Sequence, residues 1–509
     1  MTAAWSTDVV RFTIDDDVVL WQRRTGRHVR LPAEALARFE ASAPGSEFLR
    51  RRLEAERLWT EGPVEVEDLV VCRNRLALLL PDEPALWVPV PRIHTAGGRG
   101  YRQIALSEYE VALWRAINDG RTVIGIILRT DVHDALARAF FYRLTSPWVQ
   151  AAQLRPQPPR ALDPSLARIV GVERPPQERG PDLRGEWEET TLDTYHREGI
   201  TDGATHFDDR ETTVAHVFSD PHPALGGSSW GQALHDRLAE EGMLPQTAPV
   251  VEVGCGTGRM AGDLRRRAAG APWRYLRVDL SPELLRTQEA NAPDTISVHA
   301  DAVALPFADA SVGLVLSNEV IADLSAVPWT PGDTEGQPGE VGARIARYGL
   351  APLPGRGPYN LGAWQFLEEA ARVLRPGGFA WISEFGDLED TPEEAVHLDH
   401  PETSIHFGHL RTVAEALGLR AEVARLDDWM RLDPSARHLW RPHHHSLRAL
   451  ARRHGTTWPA RAWTEATLAR SLPWPVEGLR FVPISEEGPG PLITRFHVLI
   501  AHKSEARPA

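Results

Sequence analysis

Cysteine is nearly absent from this 509-residue chain, which has only Cys72 and Cys255. A disulfide-stapled scaffold is thereby excluded, and so is any iron–sulfur site that needs three cysteines. Long apolar runs are lacking too: LALLL at 76–80 falls far short of the ~20 residues that span a bilayer. The opening residues, MTAAWSTDVV, show no basic segment followed by an apolar core. No secretory signal is expected there, and the reading is a cytoplasmic protein without membrane contact. Excess positive charge is also missing. Lys and Arg number 56 against 70 Asp and Glu, a formal net charge of −14, so bulk attraction to nucleic acid is not expected. What remains is an ordinary globular composition, 42% hydrophobic and 25% charged, long enough for roughly two to four domains.

Proline-rich punctuation divides the chain. RPQPPRALDP (155–164) and ERPPQERGPD (173–182) read as linkers. The front part carries a faint repeat, RHVRLPAEALARFE (27–40) against YRQIALSEYEVALWR (101–115). Each is an extended segment ending in Leu31 or Leu106. A helix starter follows, Pro32 or Ser107, and then Phe39 or Trp114 eight residues after the leucine. Second helices are expected within 46–59 and 131–144. This order suggests two small winged-helix-like modules, 1–80 and 81–155. A Pro-rich linker (156–184) and a pre-core segment (185–247) follow. From 248 to 509, strand and helix signals alternate, which implies a largely parallel sheet with covering helices. Strands are expected at 248–253, 273–280, 295–300, 312–320, 419–427 and 495–503, the last two antiparallel, and ARVLRPGGFAWISEF (371–385) reads as a helix end, a Pro-Gly-Gly turn and a fifth strand. Insertions are expected at 324–358 and 428–494.

At the first of these strands stands VVEVGCGTGRM (250–260). A dinucleotide fingerprint would place a third glycine at 259, but Arg259 is there. The spacing is instead Gly254, Gly256, Gly258, with Glu252 two residues earlier. Asp279 closes the second strand, where a carboxylate can accept from both ribose hydroxyls. Asp301 closes the third, in HADAVALPF. Here the sequence resembles the class I S-adenosylmethionine-dependent methyltransferases. VVEVGCGTG is similar to their first motif, VDLS (278–281) to their acidic ribose loop, ADAVALPFADASVGLVLS (300–317) to their adenine loop and fourth strand, and RVLRPGGFAWISE (372–384) to their fifth-strand motif. The resemblance implies an α/β, Rossmann-like sheet of seven strands and S-adenosylmethionine as cofactor. It implies that Glu252 receives the methionine amino group and that Gly254, Cys255, Gly256 and Gly258 approach the carboxylate and sulfonium side. Asp279 and Leu280 would border the ribose, Asp301 and Ala302 the adenine, and Ser317 the cofactor at the end of strand four.

Methyl transfer needs the acceptor lone pair in line with the methyl, and an N or O acceptor must also shed a proton. In SNEVIADL (317–324), Asn318, Glu319 and Asp323 are the candidate catalytic residues, with Glu319 as base. An Asn-Pro-Pro-aromatic signature is absent, which disfavours nucleic-acid bases as acceptors, while the two carboxylates suit a cationic acceptor such as guanidinium. A narrower resemblance is to MidA-like protein arginine methyltransferases, on FDDRETTVAHVFSDPHPALGGSSWGQALHDRL (207–238), SNEVIADLSAVP (317–328) and ETSIHFGHLRTVAEALGL (402–419). The chain departs from that pattern at GCGTG, where the family has a proline, and at Trp230 and Gln232, where it has phenylalanine and glutamate.

His406 is read as a further substrate-side base, and Tyr195, His196 and His206 as candidates on a pre-core cover. His397, His400, His406, His409 and the run His443–His445 are read as pocket or capping histidines, without a metal. Neither front module offers a convincing basic recognition helix, since Arg50, Arg51, Arg52 and Arg57 are interleaved with Glu47, Glu54 and Glu56. Residues 12–39 resemble the winged-helix peptide-recognition modules of ribosomal peptide natural-product (RiPP) enzymes, which add a leader-peptide strand to a sheet edge. The expectation is therefore a methyltransferase acting on a peptide or protein in RiPP-type peptide modification. A small-molecule natural-product methyltransferase whose front part dimerises, and a DNA-bound regulator sensing S-adenosylmethionine, stay open as alternatives, and a homodimer is compatible with either enzyme.

Overall fold

The computed structural model describes most of residues 4–155, then 195–203, 206–209, 213–329, 339–397, 400–486 and 495–505. The expected linker 156–184 lies outside the described residues. The chain divides into two compact units. One comprises 1–183 with 442–457 and 471–480, and the other comprises 184–441, 458–470 and 481–509.

The first unit contains two runs of similar element order. Strands Val9–Ile14, Asp17–Gln22 and His28–Pro32 form an antiparallel sheet with His28–Pro32 outermost. Helices Ala33–Glu40 and Glu47–Ala55 follow, and Trp59–Thr60 returns to pair with Ala4–Trp5. Leu31, Leu36 and Phe39 fill the core beneath them. In the second run Leu78–Leu80, Ala85–Pro89 and Tyr101–Ala105 form the sheet, and Ala152–Arg155 pairs back to Val70–Arg73. The helix Glu108–Ala116 starts at a capping box between Ser107 and Glu110. Leu106 and Trp114, which correspond to Leu31 and Phe39, are buried as well. An additional helix, Val123–Thr130, precedes Asp134–Thr145.

Part of the late insertion belongs to this first unit. The Trp87 indole donates to the Ser446 carbonyl at 3.0 Å, Ser446 Oγ bonds the Tyr101 hydroxyl at 3.1 Å, and the Glu477 amide donates to Leu79 O. The 428–494 insertion is therefore a segment shared by two units.

The second unit is built on a central sheet. Its strands are β1 (Val250–Val253), β2 (Tyr275–Asp279), β3 (Ile296–His299), β4 (Val312–Asn318), β5 (Leu374–Asp387), β6 (Leu419–Arg425) and β7 (Phe496–Lys503), in the order 3-2-1-4-5-7-6. The first five are mutually parallel, and β7 runs antiparallel between β5 and β6. A two-residue strand, Ile405–His406, attaches to the end of β5, so the sheet has eight strands rather than the expected seven. Strands β1 and β4 are buried along their whole length, as apolar runs covered on both faces require. One face packs under helices α4 (Leu361–Val373) and α5 (Phe407–Ala416), through Trp364, Phe366, Phe407 and Leu410. The other packs under α1 (Trp230–Glu240) and α2 (Arg259–Arg267), through Trp230, Leu234 and Leu264. Trp230 is fully buried at the start of α1, and Gln232 completes a capping box with Ser229. Helix α3 (Pro282–Asn291), N-capped by Ser281, joins β2 to β3.

Candidate active site

Parallel strands with β1 at their centre leave a crevice at their carboxyl ends, where the order reverses between β1 and β4. A cavity of about 510 Å³ lies there, with its described lining drawn from residues 196 to 403. That volume falls in the usual range of small-molecule sites.

The glycine loop forms its floor. Gly254, Gly256 and Gly258 have φ of +69°, +50° and +77°. A Cβ on Gly256 would lie 2.7 Å from Cζ of Phe207, and one on Gly258 would lie 2.9 Å from the Gln288 Cα. Both therefore require the missing side chain as well as the left-handed backbone. Gly258 is the N-cap of α2, so the first turn of that helix opens onto the loop.

Buried carboxylates flank the loop. Glu252 is 1% exposed, and Tyr275 Oη donates to its Oε2 at 2.6 Å. Burial pushes this carboxyl up to about 7. Asp279 Oδ1 accepts from the Ser281 amide at 2.9 Å and Oδ2 from Gln288 Nε2 at 2.8 Å, while burial raises it to about 6. Gln288 also donates to the Gly256 carbonyl and accepts from Arg277, so one side chain ties the Asp279 carboxylate to the glycine loop. Cys255 is buried; its thiol donates to the Glu252 carbonyl, and burial raises it far above the ordinary thiol range. Leu280 and Ala302 line the cavity. Asp301 lines it too, accepting from the Val303 amide at 3.0 Å and facing Arg197 Nη2 at 3.6 Å. Ser317 is fully buried in β4 and does not reach the lining.

At the end of β4, Glu319 has φ +58°, an unusual conformation for a residue with a side chain. Its amide donates to the Ser383 carbonyl. Its carboxylate accepts from the Val214 amide and from Asn318 Nδ2 at 2.9 Å, and Ser383 Oγ in turn donates to Asn318 Oδ1. Glu319, expected as the base, is thus held by hydrogen bonds that tie β4 to the pre-core segment. Asp323 lines the cavity with its Oδ2 3.6 Å from His196 Nε2. His406 is a correction to the sequence reading. It N-caps α5 through Nδ1, which accepts from the His409 amide at 3.0 Å, and it is absent from the lining. Its ring stacks on His409 at 3.9 Å, and burial lowers both imidazoles, His409 to about 4.

The pre-core segment covers the loop. Tyr195, Ile200 and Phe207 cluster with Leu284, and the Phe207 ring sits over Gly256. Tyr195 Oη lies 3.4 Å from His206 Nε2. The sequence reading missed Gln288 and Tyr275 as supports and the buried Glu384, whose carboxyl lies well above its usual range through burial and neighbouring Glu402 and Glu319. For Gln288 and Glu384 the only signal was an amide or acidic residue inside a helix or strand, and Tyr275 at the start of β2 gave none. Among the described residues no group of three or more His, Cys, Asp or Glu is placed to hold a metal. His443 Nδ1 accepts from the Arg480 amide.

The donor set fits S-adenosylmethionine: a glycine cradle that a Cβ would fill, a carboxylate for an ammonium, and a second carboxylate ending β2 for a diol. The cofactor supplies an electrophilic methyl on sulfonium. Residues 251–329 match a family model described as a methyltransferase domain. No curated protein matches the chain. Similar solved structures include a TehB-like SAM-dependent methyltransferase from Corynebacterium glutamicum, 17% identical, covering 55% of this chain and 92% of that one with a TM-score of 0.26. Another is the phosphoethanolamine N-methyltransferase 2 of Haemonchus contortus in complex with phosphomonomethylethanolamine and S-adenosylhomocysteine, 15% identical, 54% and 53% covered, TM-score 0.27. A third is a SAM-dependent methyltransferase from Methanosarcina mazei, 12% identical, 53% and 98% covered, TM-score 0.28. The loop, its carboxylates and the family match together make this protein an S-adenosylmethionine-dependent methyltransferase, with its methyltransferase domain matched over 251–329.

Proposed function

We propose that the protein methylates a peptide or protein at N or O, and that its first unit recognises a segment of that substrate outside the acceptor residue. The observation that carries this reading is the repeated architecture of the first unit. Each half has a three-stranded antiparallel sheet followed by helices, with His28–Pro32 and Tyr101–Ala105 as outer strands. An outer strand is the element that an extended peptide joins in β-augmentation. The winged-helix-like reading of both halves and the role in RiPP maturation belong to this proposal. So do the roles assigned to Glu252 at the methionine amine, Asp279 at the ribose and Asp301 at the adenine.

The acceptor end of the cavity carries Glu319, Asp323 and Glu394. Three carboxylates favour an acceptor that is cationic before transfer, such as an amine or guanidinium. The test compares full-length precursor peptides encoded beside the gene with the same peptides lacking their leader segments. Each is incubated with protein and S-adenosylmethionine, and intact mass is read. A gain of one methyl mass on the full-length peptide, with little on the shortened one, supports leader-guided modification. Equal gain on both removes the recognition role from the first unit, and gain on small amines alone replaces the peptide with a metabolite.

A further inference from the structure

We propose that the antiparallel strand pair Glu394–His397 and His400–Thr403 selects the acceptor, with Glu394 and Thr403 receiving a cationic, N–H-bearing group such as a lysine ammonium or an arginine guanidinium. This rests on the methyl-transfer reading of the cavity and goes beyond it by naming the residues that recognise the acceptor.

The two strands pair with Glu394 directly opposite Thr403. Residues so opposed put their side chains on one face of the ladder, with Cβ atoms about 4.5–5.5 Å apart. Both residues line the cavity. Glu394 is exposed, whereas Thr403 is 8% exposed. Backbone contacts fix the pair against the sheet. The Thr403 amide donates to the Ala322 carbonyl at 3.1 Å, and the Ala322 amide donates at 3.2 Å to Oε2 of Glu384, near the end of β5. Beside them the Ser404 amide donates to the Glu393 carbonyl, and the Glu393 amide to Ser404 Oγ.

The Thr403 hydroxyl has no hydrogen-bond partner among the described residues, although the side chain is buried in the cavity wall. A buried polar group of this kind calls for a partner from outside the protein. Gln365, on α4, adds a second neutral acceptor to the same cavity. It gives its Nε2–H to Glu340 Oε2 at 2.8 Å. A carboxylate can only accept, so this contact fixes the amide and leaves Oε1 as an acceptor. The field at this end is negative. Glu384 is raised well above its usual range by burial first, and then by Glu402, Glu319 and Asp323. The only Lys or Arg in the described lining, Arg259, starts α2 on the glycine-loop side. A cation with several N–H donors matches such a wall, while a carboxylate or phosphate would meet like charge.

The test uses the full-length protein saturated with S-adenosylhomocysteine. The probes are Nα-acetyl-lysine amide and Nα-acetyl-arginine amide, with norleucine and citrulline versions as their uncharged counterparts. Affinity is read by calorimetry. A cationic probe should bind about tenfold tighter than its uncharged counterpart. Glu394→Gln should weaken it about fivefold, as expected for an exposed ion pair. Thr403→Val should weaken it by a similar factor and Thr403→Ser should keep it, with S-adenosylhomocysteine affinity unchanged in all three variants. Either cation meeting these conditions supports the proposal. Equal affinity for charged and uncharged probes, no saturable binding by either cation, or wild-type affinity in Glu394→Gln overturns it. A Thr403→Val protein that loses S-adenosylhomocysteine affinity in the same proportion gives Thr403 a structural role and overturns its place in the subsite. The peptide reading fails separately. Glu394-dependent probe binding with no peptide methylated defeats that reading and keeps the subsite. Peptide methylation with a KM unchanged by Glu394→Gln keeps the reading and defeats the subsite.

Discussion

The backbone amide of Val214 donates to both carboxylate oxygens of Glu319, at 2.8 and 3.1 Å, across 105 residues of sequence. This bidentate contact ties the segment ahead of the core to the end of β4. It makes the cover over the glycine loop depend on a residue that local chemistry alone would assign to proton transfer. Glu319→Ala should raise hydrogen exchange at 213–217 and weaken S-adenosylhomocysteine binding. The cost should be about 1–3 kcal/mol, the usual worth of a hydrogen bond to a charged group. Exchange mass spectrometry and calorimetry measure both. A variant that binds normally but transfers slowly would return Glu319 to the role of base.

Asp279→Ala removes the carboxylate that Ser281 and Gln288 hold at the end of β2. Cofactor affinity should fall about ten- to hundredfold, equivalent to about 1.4–3 kcal/mol. Asp279→Asn should lose less, because an amide oxygen still accepts from the Ser281 amide. Calorimetric titration with S-adenosylhomocysteine separates the two variants.

Gly256→Ala meets both a φ of +50° and the Phe207 ring. The left-handed conformation costs about 1–2 kcal/mol for a residue with a Cβ. Phe207→Ala in the same chain removes the collision but leaves that strain. Melting temperatures should therefore show the double variant less destabilised than the sum of the single ones, and an additive result would mean that the ring does not pack on the loop.

Burial holds Glu252 at about 7 and Asp279 at about 6, above their reference values of 4.5 and 3.8. A carboxyl raised on folding makes the folded state the better proton binder. Its contribution to stability is present at acid pH and is lost as pH rises through about 4 to 7. With the proposed roles of Glu252 at the methionine amine and Asp279 at the ribose, cofactor binding runs the other way, since an ammonium and a diol favour the ionised carboxylates. The unliganded protein should thus lose stability between pH 5 and 7 on the order of 2–3 kcal/mol relative to Glu252→Gln. Over the same range, affinity for S-adenosylhomocysteine should rise in the wild type more than in the variant.

The sequence by itself determined the second unit's sheet and the loop that carries its chemistry. Fully buried strands write themselves as apolar runs, so β1 and β4 were legible to within two residues. Gly254, Gly256 and Gly258 announce a turn that only glycine tolerates, and Asp279 and Asp301 are set by their positions at strand ends. The helix Val123–Thr130 and the short strand at Ile405–His406 were missed, because brief apolar segments have no period to read.

Only the tertiary structure decided which polar groups are already engaged. His406 was read as a substrate-side base, yet its ring accepts from the His409 amide at a helix start, a local bond that periodicity does not encode. Glu319 and Val214, and likewise His196 and Asp323, are more than a hundred residues apart, and a side chain's partners at that separation depend on how the chain returns on itself. The same holds for residues 442–457 and 471–480. They read as one insertion in the methyltransferase domain, yet they are packed into the first unit through Ser446 and Glu477.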